Sequence, residues 1–347
     1  MSNATNATNA TAATDAFPMR PTLELLALLR GARSILLTTH GGPDGDGLGC
    51  IAALGEALEA NGVRVLRLLP DPLPSKYAFL DPQKQFRSWA DGGEAARATA
   101  WDVALVVDTH QSHLLRDVGE WLRSTSIPTA YLDHHPLDRA RDDVYGTCDA
   151  VATGVLVFEL LQALGLPISP AVAEAIYISI SFDTNSFKYI RSAPESLEVG
   201  AQLIRLGVDT TRVYRNLFAS NPLRKARVLG WVLTSVQFTC DGRLAYILVP
   251  HHLVDELKLE RDDLRDSVNH ILEIEGVEVA AALKEMEPGR AQISLRSKGT
   301  FLINGVAAAF GGGGHTLAAG CEIEAELSDA WTRLEIPLRR VLEGAST

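Results

Sequence analysis

Long apolar runs are absent from this 347-residue chain. None reaches the roughly 18 residues that a membrane-spanning helix requires, which excludes an integral helical membrane protein. An excess of positive charge is absent too: 32 Lys and Arg stand against 43 Asp and Glu, a net charge of −11. Coating of long nucleic acid is thereby excluded, because such binding rests on an extended basic surface. Cysteine is scarce, and Cys50, Cys148, Cys240 and Cys321 include no Cys-x-x-Cys pair. Neither a zinc knuckle nor a disulfide framework is indicated, and reduced thiols in the cytoplasm are expected. The opening stretch, Met1 to Asp15, repeats Asn-Ala-Thr and lacks both the basic cluster and the apolar segment of a secretory or transit peptide. A disordered tail over residues 1–16 is expected there.

With 46% apolar and 22% charged residues, the chain reads as a globular α/β protein long enough for two domains. The expected division is a parallel-sheet domain over 17–206, an arginine-rich helical linker over 207–232 and a smaller mixed α/β domain over 233–347. The segment that organises the first domain is Thr38-Thr39-His40-Gly41-Gly42-Pro43-Asp44-Gly45-Asp46-Gly47. It follows Ser34-Ile35-Leu36-Leu37, an apolar run typical of a buried parallel strand, and precedes the helical spacing of Leu48, Ile51, Leu54 and Leu58. His40, Asp44 and Asp46 therefore lie on a strand-to-helix loop, where α/β sheets place their chemistry. Imidazole and carboxylate are ligands suited to manganese or magnesium. Gly-Pro-Asp-Gly is also ordinary turn chemistry, so the loop alone does not decide.

The pattern recurs further along. The run Val103 to Val107 ends at Asp108, and Thr129 to Leu132 runs into Asp133-His134-His135. If these strands are parallel, their carboxyl ends share one edge and the polar side chains that follow converge on it. Asp183 interrupts the apolar end of a helix expected from Ala171; a carboxylate there needs a cation or a donor partner, or else caps the next element. In the second half, Gly311, Gly312, Gly313 and Gly314 precede His315. Four glycines in a row cost backbone entropy without packing value, which predicts a backbone that approaches an anion; a flexible hairpin tip is the alternative. Arg296, beside Ser297 at an expected strand end, is a fork suited to phosphate oxygens.

Taken in order, His40-x-x-Pro43-Asp44-x-Asp46, Asp108, Asp133-His134-His135, Asp183 and Gly311 to His315 resemble the DHH phosphoesterase superfamily with its DHH-associated C-terminal domain. Within it the pattern is most similar to the bacterial oligoribonuclease and 3′-phosphoadenosine-5′-phosphate phosphatase group, over roughly Leu23 to Leu342. The resemblance implies an active site in a cleft between the two domains. It implies two divalent metal ions, most simply manganese, with cobalt or magnesium as alternatives. His40, Asp44 and Asp108 would surround one ion, and Asp46, Asp108, His134 and Asp183 the other, with Asp108 bridging. His135 would lie beside the scissile phosphate, with Asp133 orienting the histidines. Arg296, Ser297, Gly312, Gly313, Gly314 and His315 would hold the substrate's far phosphate or terminal nucleotide. Gly42 stands where relatives often carry Asn, and Thr316-Leu317 replace more polar residues; neither position is an implied metal ligand.

The implied activity is hydrolysis of short RNA oligonucleotides to mononucleotides and of 3′-phosphoadenosine-5′-phosphate to AMP. Such partners have few phosphates, which reconciles a nucleotide substrate with a net charge of −11. No membrane partner is expected, and a homodimer is the default assembly. Three rivals remain: a phosphodiesterase for linear or cyclic dinucleotides, a manganese inorganic pyrophosphatase, and a non-catalytic nucleotide-binding regulator. The Gly311 to His315 run speaks against the pyrophosphatase, and the complete ligand set against the regulator. A nicotinamide enzyme is opposed by a first loop that lacks Gly-x-Gly-x-x-Gly spacing.

Overall fold

The computed structural model describes residues 23–137, 141–146, 149–190, 193–256, 258–259, 265–299 and 301–344. The expected tail and Cys148 lie outside the described residues. The chain divides into two compact units, Met1–Ser220 and Asn221–Thr347.

The first unit opens with α1 (Leu23–Gly31), β1 (Ser34–Thr38), α2 (Gly45–Ala60) and β2 (Arg64–Leu69), then β3 (Phe86–Ser88), α3 (Trp89–Arg97), β4 (Val103–Val107) and α4 (Arg116–Arg123). β5 (Thr129–Leu132) and β6 (Val144–Tyr145) complete the sheet, and α5 (Thr153–Leu164), α6 (Pro170–Asp183), α7 (Pro194–Arg205) and α8 (Thr210–Phe218) follow. The six strands pair in parallel in the order β3-β2-β1-β4-β5-β6. Strand side chains alternate between two apolar layers: Ile35 and Leu37 pack with α2, α5 and α6, whereas Leu36 packs with α3 and α4. A sheet covered on both faces explains why its strands read as unbroken apolar runs. The chain builds outward from β1 to β3, then returns to β4 on the other side, so β1 and β4 flank the switch point where such sheets open a crevice.

Close helix contact shapes the crevice. A Cβ at Gly49 of α2 would lie 2.6 Å from the Ala175 carbonyl oxygen of α6. Glycine there costs about 1 kcal/mol of helix propensity, yet it lets α6 lie directly against α2 and carry Ser179 and Asp183 to the sheet edge.

The second unit contains α9 (Leu223–Ser235), β7 (Gln237–Thr239), β8 (Leu244–Val249), α10 (His251–Glu256), α11 (Arg265–Leu272), β9 (Val279–Glu287), β10 (Arg290–Ser297), α12 (Asn304–Ala309), β11 (Gly313–His315), β12 (Ala318–Glu324) and α13 (Leu327–Leu342). Its sheet runs β11-β12-β10-β9-β8-β7 and is mixed, β8 and β9 being parallel and the other pairs antiparallel. Leu283, Ile293 and Leu295 pack with α12 and α13 on one face, and Ala280 and Ala282 with α9 and α11 on the other. The arginine-rich stretch expected as continuous helix is two helices broken before Pro222, because proline disfavours helix in the residue preceding it. Val213 and Leu217 of α8 join the first unit's core, and Val228 and Val232 of α9 join the second's. Among the described residues no helix is long and apolar enough to cross a membrane.

Candidate metal centre

The centre lies at the carboxyl ends of β1, β4 and β5 and at the start of α2. Asp44 caps α2, its Oδ1 accepting from the Asp46 amide at 3.1 Å. Asp46, in the first turn, is fully buried. Its Oδ2 accepts from the Thr153 amide at 2.9 Å and its Oδ1 from the Gly154 amide at 3.3 Å and from the Ser179 hydroxyl. These amides open α5, so a helix N-terminus faces the carboxylate and favours its negative charge. Asp108 leaves β4 with φ +62°, a conformation Asp tolerates better than most residues, and the turn places its buried carboxylate over the crevice.

Asp108 divides two donor sets. Its Oδ2 lies 3.5 Å from His40 Nε2, which is 3.9 Å from Asp44. Its Oδ1 lies 3.7 Å from His134 Nε2, which is 3.7 Å from Asp46 and 3.1 Å from Asp183. The donor atoms of His40, Asp44 and Asp108, of Asp46, His134 and Asp183, and of Asp108, His134 and His135 each lie within 4.8 Å of one another. Both imidazoles are turned the same way: His40 Nδ1 is 3.0 Å from the Gly41 carbonyl and His134 Nδ1 is 3.2 Å from that of Ala150. A Nδ1–H donated to a carbonyl leaves Nε2 as the ligating nitrogen.

The electrostatics of these groups fit a cation. Burial, then the neighbouring Asp46, Asp44 and Asp183, push the Asp108 carboxyl well above the usual carboxylate range. Burial and Asp183 raise Asp46 to about 6 against the opposing pull of His134 and its hydrogen bonds. Burial lowers the His134 imidazole, but its hydrogen bond to Asp183 and the charges of Asp183, Asp46 and Asp133 outweigh this and raise it to about 9. Buried carboxylates that repel one another beside neutral-capable imidazoles are relieved by divalent cations. The donor set is oxygen and nitrogen without thiolate, which suits hard to borderline metals.

Asp133 organises a second layer. It is buried, and although burial raises its carboxyl, hydrogen bonds from His110 and His135 hold it well below the ordinary range. Its Oδ1 accepts from His135 Nδ1 at 2.7 Å and its Oδ2 from His110 Nδ1 at 2.5 Å. The expectation that Asp133 orients the adjacent histidines is thus corrected in part: His134 turns to the Ala150 carbonyl, and the second imidazole on Asp133 is His110. His110 was not singled out from sequence, since its carboxylate partner lies on another strand. Its position two residues after Asp108, at a strand end already rich in ligands, was the available signal.

In the second unit, Arg296 of β10 and His315 of β11 both sit opposite Ala318 of β12, one on each side. Arg296 Nη1 donates to the Leu295 carbonyl at 2.8 Å, and Ser297 is buried with no hydrogen-bond partner for its hydroxyl among the described residues. The glycines are corrected in one respect: packing does explain two of them. A Cβ at Gly312 would lie 2.1 Å from the Gly320 carbonyl oxygen, and one at Gly314 2.5 Å from that of Ala318. Gly313 has open space where its side chain would be.

A doubly wound parallel sheet with a buried carboxylate and imidazole cluster at its switch point, followed by a mixed α/β unit, defines the class as a two-unit α/β protein with a candidate metal centre. The profile of the DHH family N-terminal domain matches residues 34–180 and that of the DHHA1 domain residues 243–334. The chain belongs to the DHH family. It is 29% identical over 94% of its length, and 95% of the relative's, to the bifunctional oligoribonuclease and PAP phosphatase NrnA of Thermus thermophilus. It is 24% identical over 86% of its length, and 92% of the relative's, to the protein of the same name from Bacillus subtilis. Among solved structures, an exopolyphosphatase-related protein from Bacteroides fragilis superposes with a TM-score of 0.84 at 25% identity, covering 91% of this chain and 95% of that one.

Proposed function

We propose that this chain is a cytoplasmic, metal-dependent phosphoesterase that hydrolyses RNA oligonucleotides of two to a few residues to mononucleotides, and 3′-phosphoadenosine-5′-phosphate to AMP. The observation that carries the reading is Asp108, whose two carboxylate oxygens each face a separate histidine and carboxylate set. Relatives matching over most of their length bear names for these two activities. Water attacks phosphorus, the P–O bond to the leaving oxygen breaks, and that oxygen takes a proton.

His40, Asp44 and Asp108 would hold one divalent ion and Asp46, Asp108, His134 and Asp183 a second, manganese being the first choice. Such a pair, when bound, supplies an activated water and charge neutralisation at the phosphoryl group. The chain's own residues do the rest. His135, 36% exposed at its side chain, presents Nε2 because Asp133 holds Nδ1, and would donate a hydrogen bond to a phosphoryl oxygen as charge develops there. Thr153 Oγ1 donates to Asp108 Oδ1 at 3.1 Å, which fixes the shared carboxylate. Arg296, Ser297, Gly313 and His315 would bind the far phosphate or terminal nucleotide from the second unit.

The deciding assay compares the manganese-loaded protein on a 5′-phosphorylated diribonucleotide, 3′-phosphoadenosine-5′-phosphate, a cyclic dinucleotide, pyrophosphate and long single-stranded RNA. Turnover of the first two is expected; turnover of pyrophosphate alone overturns the proposal. Arg296→Ala is expected to raise KM by roughly 10- to 100-fold, the worth of a charge-assisted hydrogen bond, with kcat little changed. Steady-state kinetics on both substrates check this split. For His110→Leu a fall in kcat of about 10- to 100-fold is expected, as for other groups that orient a site residue. His110→Asn, which keeps an N–H for Asp133, should recover most of it.

A further inference from the structure

The loop that follows β1 contains two glycines for two different reasons, and both reasons involve the same pair of residues outside the cluster. At Gly41 a Cβ would lie 2.4 Å from Nε of Arg116, so the half-exposed arginine side chain passes against the residue next to His40. Gly42 has φ +64°, a left-handed conformation that glycine and asparagine adopt most readily, and its amide donates to Asp71 Oδ2 at 2.6 Å. The other Asp71 oxygen takes Nη1 of Arg116. The Gly41 amide is held as well, donating to the Leu114 carbonyl at 2.7 Å.

Arg116 itself has φ 50° and ψ −134°, a backbone conformation that an L-residue keeps only where its surroundings over-determine it. Two separate segments therefore meet on the Gly41-Gly42 peptides between His40 and Asp44: Asp71 after β2, and Leu114 to Arg116 at the start of α4.

We propose that Asp71 and Arg116 are positioning residues that preform the His40 and Asp44 side of the first donor set. The inference rests on the two-ion reading of the centre given above. Two adjacent glycines would otherwise leave His40 and Asp44 joined by the least constrained backbone a chain can have, and ordering it would be charged against metal affinity. The Asp71 carboxylate removes that freedom by tying the loop amide and the arginine to one point. The Asp46, His134 and Asp183 set is held differently, by the amides opening α5 and the hydroxyl of Ser179 for Asp46 and by the Ala150 carbonyl for His134. The bracket consequently acts on one donor set and not on the other.

The test is a manganese titration of the metal-free full-length chain, followed by calorimetry and by the electron paramagnetic resonance of the free ion. Wild-type protein is expected to take two ions per chain. Asp71→Ala is expected to keep one at wild-type affinity and to bind the other at least tenfold more weakly. Asp71→Asn retains an oxygen for the Gly42 amide and should fall between the two. Gly41→Ala displaces the Arg116 side chain and should reproduce the loss without touching Asp71, which keeps the test decisive if Asp71→Ala fails to fold. Two ions at wild-type affinity in both Asp71→Ala and Gly41→Ala, or equal weakening of both ions, overturns the bracket. Wild-type protein that binds no manganese overturns instead the reading of the centre on which it rests.

Discussion

Asp108→Asn is expected to lower kcat by roughly a thousandfold or more on every substrate, with KM changed far less. The carboxylate lies between the His40 and His134 sets, 3.5 Å from one and 3.7 Å from the other. Asparagine preserves shape and the Thr153 contact but removes the negative charge and one acceptor oxygen. Loss of a preorganised electrostatic contact at the reacting phosphate costs about 10²- to 10³-fold by itself, and weaker retention of two cations adds to it. Rapid-quench or continuous assays on a 5′-phosphorylated diribonucleotide measure the fall, and near-normal turnover at saturating manganese refutes the bridging role. Because asparagine relieves the repulsion among buried carboxylates, the metal-free variant should melt no lower than the metal-free wild type.

Removal of metal is expected to make stability depend on pH in an unusual direction. In the metal-free fold the Asp46 carboxyl titrates near 6, above its ordinary 3.8, so the folded state holds that proton more tightly than the unfolded chain. The contribution of such a group is complete at low pH and is lost as pH rises through the folded value. For Asp46 that loss falls between roughly pH 4 and 7. Asp108, raised for the same reason, adds in the same direction. His134, at about 9, releases its share between about 6.5 and 9. Asp133 opposes them, since its lowered value contributes stability that disappears only in acid. Chelated protein should therefore melt roughly 5–10 °C lower at pH 8 than at pH 5. Manganese added at pH 8 should restore the difference. Differential scanning calorimetry at both pH values, with and without metal, decides it; a chelated protein that melts higher at pH 8 than at pH 5 contradicts the electrostatic account.

Much of the centre was legible before folding. His40, Asp108 and His134 each follow a short apolar strand within two residues, with Asp44 on the same loop as His40, and in a parallel sheet the ends of strands share an edge by construction. Proximity of residues nearly a hundred positions apart followed from strand pattern alone. The elements that escaped notice were those with weak periodic signals: α3 and α4 are short helices rich in charge, β3 and β6 are strands of three and two residues, and none has a long apolar run to announce it. The glycines before His315 illustrate the opposite error. They stood out as a cluster, but Gly312 and Gly314 answer to the neighbouring strand β12, whose backbone approaches too closely for a Cβ. Sequence shows that a side chain is missing without showing what occupies its place.

What the sequence determined by itself was the α/β class, the two-unit organisation and the set of candidate metal-ligating residues, because periodicity and residue chemistry are local properties of the chain. What only the tertiary structure decided were the partnerships. The placing of His110 with Asp133, of the α5 amides with Asp46 and of Arg116 on Gly41 depends on strand order and on how closely one segment packs against another. Those distances arise from the packing of the whole unit, and no stretch of neighbouring residues encodes them.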